Sequence, residues 1–158
     1  MIDEREERLA RSSPSLPLRP TSNVLRLREV DSRHVPRGLA RAALASGAGL
    51  VCVSLLDAAG MACDLQQPER MLRPQWWRGD PATLMRSTVV CGCGGGSLVR
   101  DALPVLLSRC PRLLLDADAL TILSQTPDLF AALHEGCVLT PHGGEFARLF
   151  PDIAEKLA

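Results

Sequence analysis

Three short stretches of this 158-residue sequence combine residue types that bind charged or polar ligands. They are "CGCGGGS", with glycines at 92, 94, 95 and 96, "DADAL", with Asp116 and Asp118, and "TPHGGEF", with His142 and Glu145. Each follows a short apolar run that has the length of a buried β-strand. At each stretch, ligand chemistry competes with plain turn and capping geometry as the explanation.

The glycine-rich stretch has the composition of an anion-binding loop. Glycine lets backbone amides approach an anion closely, and the N-terminus of the following helix adds partial positive charge. It is not a Walker A loop, because no Gly-Lys-Ser/Thr follows, and Ser97 stands where the third glycine of Gly-x-Gly-x-x-Gly should be. A tight strand-to-helix turn that needs positive φ would use the same residues, so both interpretations stay open.

Asp116 lies at the predicted tip of the strand "RLLLD", and Asp118 follows two residues later. Carboxylates there could bind a cation, orient a sugar hydroxyl or act as a base. Aspartates at such corners also commonly cap the following helix, and taken alone the pair favours capping.

His142 and Glu145 lie at a predicted strand-to-helix corner. A neutral imidazole there could hydrogen-bond a polar ligand, and the helix dipole favours a carboxylate in the first turn. The alternative is that Glu145 caps the helix and that His142 is a solvent-facing loop side chain. His34 and His134 lack comparable neighbours, and we interpret them as structural or solvent-facing.

The elements that would position these stretches alternate between apolar strands and helices. Strands are predicted at residues 50–56, 88–91, 112–116 and 137–140, and helices over 36–49, 97–110, 116–125 and from 143 onward. The first helix should stop at its C-terminal glycines, Gly47 and Gly49, and Ser97 is placed to cap the second, which contains Pro104.

This alternation predicts an α/β fold, a doubly wound parallel sheet with helices on both faces. The four strands should be neighbours that end at one edge. All three polar stretches would then lie at the carboxyl ends of the strands, where ligands bind in such sheets.

Composition excludes several classes of partner. Eighteen basic and eighteen acidic side chains cancel, which leaves no electrostatic footprint for nucleic acid or an anionic membrane. No apolar run approaches the ~20 residues of a membrane span, and the first residues are too charged for a signal peptide, so we predict a cytoplasmic protein.

The sequence predicts two regions along the chain. Residues 1–23 form a charged, then Pro/Ser-rich arm, and residues 24–158 form the folded domain.

Structural roles are predicted for the six cysteines and the two tryptophans. No C-x-x-C occurs, so buried free thiols are predicted rather than a metal site or disulfides. Trp76 and Trp77 could stack on a base, but an apolar plug in the crossover is favoured.

Five segments in this order resemble the carbohydrate-kinase-like NAD(P)H-hydrate dehydratases: "ARAALASGAGLVCV", "PERML", "VVCGCGGG", "LLLDADALTIL" and "VLTPHGGEFARLF". The resemblance implies a ribokinase-like fold and repair of hydrated NADH and NADPH, with ADP or ATP and Mg²⁺ as cofactors. In this family phosphoryl transfer to the substrate hydroxyl is followed by loss of phosphate, so the net reaction is dehydration.

The resemblance also implies site residues. Gly94 and His142 would contact the hydrated nicotinamide nucleotide. Further residues would line the same cleft: Gly92, Gly96, Asp116, Asp118 and Glu145. Cys93 and Gly95 depart from the proline and leucine of the family's "GPGLG", and Gly143 departs from the second proline of "TPHPGE". Without a proline the unfolded chain has more conformational freedom, which lowers the stability by roughly 0.4–1 kcal/mol at each site.

Other parts of the family are expected to be missing. "NVLRLREVDSRHVPRG" has neither the clean apolar strand nor the glycines of the family's first substrate-contacting segment, so that segment is expected to be lost. The Lys-Gly-x-x-Thr nucleotide segment and the Gly-x-Gly-Asp loop with the catalytic Asp would lie beyond Ala158. We therefore expect the N-terminal part of a domain, without a catalytic residue or metal site, and weak or inactive alone.

Two functions stay open. One is ADP-dependent dehydration of hydrated NAD(P)H, impaired in this chain; the other is a non-catalytic nucleotide-binding remnant that acts with a partner. A second copy or another chain would cover the incomplete sheet. A sugar or hydroxymethylpyrimidine kinase would share the fold, but the "TPHGGEFARL" corner favours the dehydratase branch.

Overall fold

A single parallel sheet organises the chain in the computed structural model, which describes residues 23–28, 35–56 and 71–157. Its strands are β1 (Asn23–Arg28), β2 (Leu50–Leu55), β3 (Met71–Leu72), β4 (Ser87–Cys91), β5 (Arg112–Leu115) and β6 (Cys137–Leu139). They are ordered β3-β2-β1-β4-β5-β6. Every pair is parallel, so all the strands end at one edge, and the predicted parallel sheet is confirmed.

Helices cover both faces of this sheet. They are α1 (Val35–Ala45), α2 (Pro81–Met85), α3 (Val99–Arg109), α4 (Asp118–Gln125), α5 (Pro127–Ala131), α6 (Gly143–Leu149) and α7 (Pro151–Leu157). Val51 and Val53 of β2 join one buried cluster with Ala40 of α1. Cys52, which lies between them, joins the larger cluster built with α3 and α4. Because successive strand residues point to opposite faces, this split confirms the doubly wound α/β architecture.

The first helix ends as its glycines predict. The amide of Ala48 donates to the carbonyl of Ala43, and that of Gly47 to Leu44. This is the Schellman pattern, in which the residue after the cap is left-handed, and Gly47 has φ 88°. The turn then leads directly into β2.

One predicted neighbour relation is wrong. β1 pairs with β2 on one side and with β4 on the other, so β2 and β4 are separated by a strand. The expectation that this segment lacks a strand is therefore also wrong. "NVLRLR" mixes apolar and charged residues, so it does not show a continuous apolar run, yet its backbone can form hydrogen bonds with both neighbouring strands. Residues 29–34, which follow it, lie outside the described part of the chain.

The start of α3 also differs from the prediction. A turn of 3₁₀ helix over Gly96–Leu98 precedes α3, and the residue at its N-cap is Leu98, without a side-chain cap. Ser97 lies inside this turn, and Leu98 at the N-cap is already helical, with φ −67° and ψ −17°, so Ser97 does not stand at the capping position. Pro104 lies inside α3, which continues to Arg109.

The cysteines and tryptophans of the described residues are structural. Cys52, Cys91, Cys93 and Cys110 are buried and Cys137 is half-buried, and among the described residues none of these five forms a disulfide, whereas Cys63 lies outside the described residues. Trp77 is 5% exposed and belongs to the larger cluster, with Trp76 packed against it, which confirms the plug. Within the described ranges, no helix is both long and apolar enough to cross a bilayer.

Candidate functional site

The three polar stretches lie at one edge of the sheet. Cys91, Leu115 and Leu139, the last residues of β4, β5 and β6, are in register across the two strand pairs. The glycine-rich stretch, the aspartates and the His142 corner follow these residues directly. The sheet therefore brings them to the same level at its carboxyl edge.

The strand order places the glycine-rich loop at the most favourable point of that edge. β2 and β3 extend the sheet from β1 in one direction, and β5 and β6 extend it from β4 in the other. The carboxyl ends of β1 and β4 thus flank the crevice where ligands bind in open α/β sheets. The loop over residues 92–96 leaves β4 at this crevice.

Backbone geometry explains the glycines of this loop. Gly92, Gly94 and Gly96 have positive φ angles of 115°, 69° and 57°. A Cβ at Gly92 would lie 1.8 Å from the carbonyl oxygen of Asp116, so a side chain is sterically excluded there. The amide of Gly95 donates to the carbonyl of Gly92 at 3.3 Å, which closes a tight turn. The turn interpretation is confirmed.

The two aspartates face this loop and do not cap the helix that follows them. Oδ2 of Asp118 accepts from the backbone amide of Gly96 at 2.9 Å, and Oδ2 of Asp116 lies 3.3 Å from the donating thiol of Cys93. The N-cap of α4 is Ala117, and no side chain caps the helix. The capping interpretation is therefore wrong for both residues. An anion bound to the Gly96 amide in this conformation would meet the Asp118 carboxylate.

The residue between the aspartates is strained. Ala117 has φ 47° and ψ −113°, a backbone conformation that residues other than glycine rarely adopt. Its amide donates to Oδ1 of Asp116 at 2.9 Å. Such strain costs on the order of 1–3 kcal/mol and is concentrated at functional sites. Nothing in the sequence pattern around Ala117 signals it.

The third corner is a reciprocal helix cap. Nδ1 of His142 accepts from the Gly144 amide at 3.1 Å, and Oε2 of Glu145 accepts from the His142 amide at 3.0 Å. Nε2 of His142 also lies 3.4 Å from Oε1 of Glu145, whose side chain is only 8% exposed, against 70% for the imidazole. Glu145 is thus a capping residue. His142 is both a cap and an exposed polar group, so a ligand would compete with the cap for its imidazole.

The thiol beneath the loop is unsuited to nucleophilic chemistry. Burial at the end of β4 strongly raises the pKa of Cys91, and the nearby Cys93, Cys110 and Asp118 raise it further. A thiol with a raised pKa stays protonated at neutral pH, and the thiolate is the nucleophile.

The described residues do not fit a nucleotide–Mg²⁺ complex. Among the described residues no three His, Cys, Asp or Glu side chains form a group that could hold a metal ion. One oxygen of Asp118 and both oxygens of Asp116 already accept protein hydrogen bonds. The 158 residues contain neither Lys-Gly-x-x-Thr nor Gly-x-Gly-Asp.

The structure joins some predicted site residues more closely than others. Gly92, Gly96, Asp116 and Asp118 are connected by hydrogen bonds or contacts. His142 lies beyond β6, two strands from the loop, which is about 10 Å along the sheet. His134 lies before β6, at the opposite edge, where its Nδ1 accepts from the Gly136 amide. The sequence pattern does not predict the hydrogen bond from the Cys93 thiol to Asp116, although Cys93 lies within the glycine-rich stretch.

Comparison with a protein family gives the chain a match over most of its length. The model of the carbohydrate-kinase-type NAD(P)H-hydrate dehydratase family matches residues 39–157. This range includes all three corners of the site.

Curated proteins match shorter parts. The chain is 51% identical over 70 residues to a bifunctional NAD(P)H-hydrate repair enzyme of Synechocystis, and 47% identical over 68 residues to one of Gloeobacter violaceus. It is 61% identical over 36 residues to the enzyme of the same description from Mycobacterium tuberculosis. The first two alignments cover 42% of this chain and 13% of each relative, so the chain spans a small fraction of their length.

A solved structure supports the fold. A ribokinase-like superfamily protein of Enterococcus faecalis superimposes with a TM-score of 0.61 at 20% identity. The alignment covers 88% of this chain and 51% of that one. At this identity the likeness establishes a ribokinase-like fold and nothing about the ligand.

Proposed function

The chain belongs to the NAD(P)H-hydrate dehydratase family, and on that premise we propose that it forms the substrate-binding part of an enzyme that dehydrates hydrated NADH or NADPH. The observation that carries the proposal is the position of the glycine-rich loop at the carboxyl end of β4, beside β1, where the strand order of the sheet reverses. A loop held rigidly at this position presents its backbone to a ligand in the crevice.

Gly94 and His142 are the residues that we propose to contact the hydrated nicotinamide nucleotide. Gly94 lies within the turn over residues 92–95, and the imidazole of His142 is 70% exposed at the same edge. The gap of about 10 Å between their strands is within the span of a dinucleotide. Gly92, Gly96, Asp116, Asp118 and Glu145 support these two groups.

The phosphoryl donor is proposed to be ADP with Mg²⁺, and ATP is the alternative. Because the residues present do not fit such a complex, the proposal assigns no nucleotide-binding or catalytic residue to this chain. Asp116 and Asp118 are engaged with the loop, and Glu145 caps α6.

A partner is proposed at the β6 side of the sheet. Within the described residues β6 pairs only with β5, and Val138 at its centre is 55% exposed. A second copy or another chain that pairs with β6 would cover this edge. We further propose that an arm precedes the domain, with the predicted division into residues 1–23 and 24–158 moved by one residue because β1 begins at Asn23, and that the activity belongs to the cytoplasm.

Binding of purified NADPH hydrate to the 158-residue chain, measured by isothermal titration calorimetry, tests the site. The variant His142→Asn keeps an N-cap side chain but removes the imidazole, so we expect weaker binding with little loss of stability. His142→Ala removes both the imidazole and the N-cap side chain. His134→Ala, at the opposite edge, is the control and should bind as the unmodified chain does. Unchanged binding by His142→Asn would contradict the role of the imidazole, and no binding by the unmodified chain would contradict the proposed function.

A turnover assay tests whether the chain binds the hydrate without catalysing its dehydration. With ADP and Mg²⁺, recovery of the reduced-nicotinamide absorbance from the hydrate should not exceed background for the 158 residues alone. A positioned base contributes roughly 10²–10⁴-fold, and stabilisation of the transferring group contributes comparably. Robust turnover that His142→Asn reduces would show that the chain is a complete catalyst. Binding without turnover, restored by a second polypeptide, would favour the remnant that acts with a partner.

A further inference from the structure

We propose that Asp118 is a positioning residue, which holds the glycine-rich loop in its ligand-binding conformation and does not itself touch the substrate. This inference deepens the proposed function and rests on it. The family resemblance places Asp118 in the lining of the cleft, whereas the geometry assigns its carboxylate to the loop backbone.

The first argument is the hydrogen bond that Asp118 makes. Its Oδ2 accepts from the Gly96 amide at 2.9 Å, across 22 residues of sequence. A carboxylate that accepts from a backbone amide forms a charge-assisted bond, roughly twice as strong as a neutral one. Asp118 is half-buried, which strengthens the bond further because less water competes.

The second argument is that the loop is held on both sides of Gly94. Gly96 is held by Asp118, and Cys93 is held by the carboxylate of Asp116. Gly94 lies between these two attachments, with φ 69°. The position of its backbone is thus set by the β5–α4 turn as well as by β4.

The third argument is that the turn carrying Asp118 is itself fixed to the loop. The Asp118 amide donates to the Gly92 carbonyl at 3.3 Å, and the Asp116 amide donates to the Cys91 carbonyl at 3.0 Å. The strained backbone of Ala117 separates the two aspartates and lets both side chains face the loop. A strained residue persists only where its surroundings over-determine it, and here the surroundings are these bonds.

Two variants of Asp118 separate positioning from contact with substrate. In Asp118→Asn the side-chain carbonyl can still accept from Gly96, whereas in Asp118→Ala it cannot. We expect Asp118→Ala to weaken binding of NADPH hydrate by roughly tenfold to a hundredfold, and Asp118→Asn to stay within about threefold of the unmodified chain. Asp80→Ala is the matched control, because Asp80 also accepts from a backbone amide, that of Ala82, at the start of α2 and away from this edge.

Amide hydrogen exchange of residues 92–96 without ligand gives a second readout that does not depend on the proposed function. Exchange at Gly96 should accelerate at least about tenfold in Asp118→Ala, change by less than about threefold in Asp118→Asn, whose neutral side chain accepts a weaker bond, and stay unchanged in Asp80→Ala. If the unmodified chain does not bind the hydrate, the proposed function fails, and the exchange experiment alone decides the role of Asp118. Equal loss of binding in both Asp118 variants, with Gly96 exchange unchanged in both, would show that Asp118 contacts the substrate and would overturn the inference.

Discussion

At the scale of single residues, the candidate site depends on backbone conformations that few side chains allow. Gly92 leaves β4 with φ 115° against the backbone of the β5–α4 turn, and Ala117 holds that turn in a strained conformation. Gly92 is therefore the residue type that its backbone conformation requires, whereas Ala117 is not. Stability measurements can distinguish the two cases.

Gly92→Ala should be strongly destabilising. The new Cβ would overlap the Asp116 carbonyl oxygen at 1.8 Å, and the positive φ adds strain, so a loss of more than about 2 kcal/mol in the free energy of unfolding is expected. The control is Gly143→Ala, where a Cβ meets nothing within 4 Å and should be neutral or stabilising. Urea denaturation measures both. Equal stability of the two variants would contradict the close approach of the loop to the turn.

Ala117→Gly should stabilise the protein, in contrast to most replacements of alanine by glycine. Relief of about 1–3 kcal/mol of backbone strain outweighs the roughly 0.4–1 kcal/mol that glycine costs through the unfolded state. Ala147→Gly, at an exposed position in α6, should instead lose up to about 1 kcal/mol. A loss of stability in Ala117→Gly would show that Ala117 is not strained.

At the scale of elements, the corner at α6 shows how one residue can serve both structure and ligand. α6 has only 7 residues, and His142 and Glu145 satisfy its first amides reciprocally. A helix of this length is marginal without such caps and without packing. Leu149 supplies the packing, because it is 8% exposed in the larger cluster.

His142→Ala should therefore cost about 0.5–2 kcal/mol of unfolding free energy, whereas His142→Asn should cost only a few tenths, because asparagine is an effective N-cap. Glu145→Gln should also be mild, since glutamine can accept from the His142 amide in the same box. Chemical denaturation at neutral pH measures all three. If His142→Ala unfolds at the same urea concentration as the unmodified chain, the cap does not stabilise α6.

At the scale of the whole molecule, the buried thiols make stability depend on alkaline pH. Burial raises the pKa of Cys110 from its ordinary value of 9.0 to about 11 and raises those of Cys91 and Cys52 in the same direction. Few other groups titrate there, because the sequence has no tyrosine and Lys156 as its single lysine.

A raised folded-state pKa means that the unfolded chain releases its thiol protons first. The stabilising contribution is complete below pH 9 and is lost progressively as the pH rises through 9 toward the folded-state value of about 11 for Cys110. The midpoint of thermal unfolding should fall over this window, and less steeply in Cys110→Ala. A midpoint that stays constant from pH 8 to about 11 would contradict the burial of these thiols.

Local sequence patterns were enough to predict most of the elements around the site, the parallel sheet and the edge at which the three polar stretches lie. Each of these depends on local properties: apolar runs of strand length, helical periodicity, and glycines where a turn needs positive φ, as at Gly47. The resemblance of five segments to one family was likewise readable without the structure, and the family match over residues 39–157 confirms it.

The way in which these parts combine depends on long-range contacts that the structure shows. The tertiary structure placed β1 between β2 and β4, so the strand order reverses beside the glycine-rich loop, although "NVLRLR" lacks a continuous apolar run. It also directed Asp118 to the Gly96 amide and away from capping its own helix. Both outcomes depend on partners that are distant in sequence, and local propensity and periodicity contain no information about which distant backbone groups will meet.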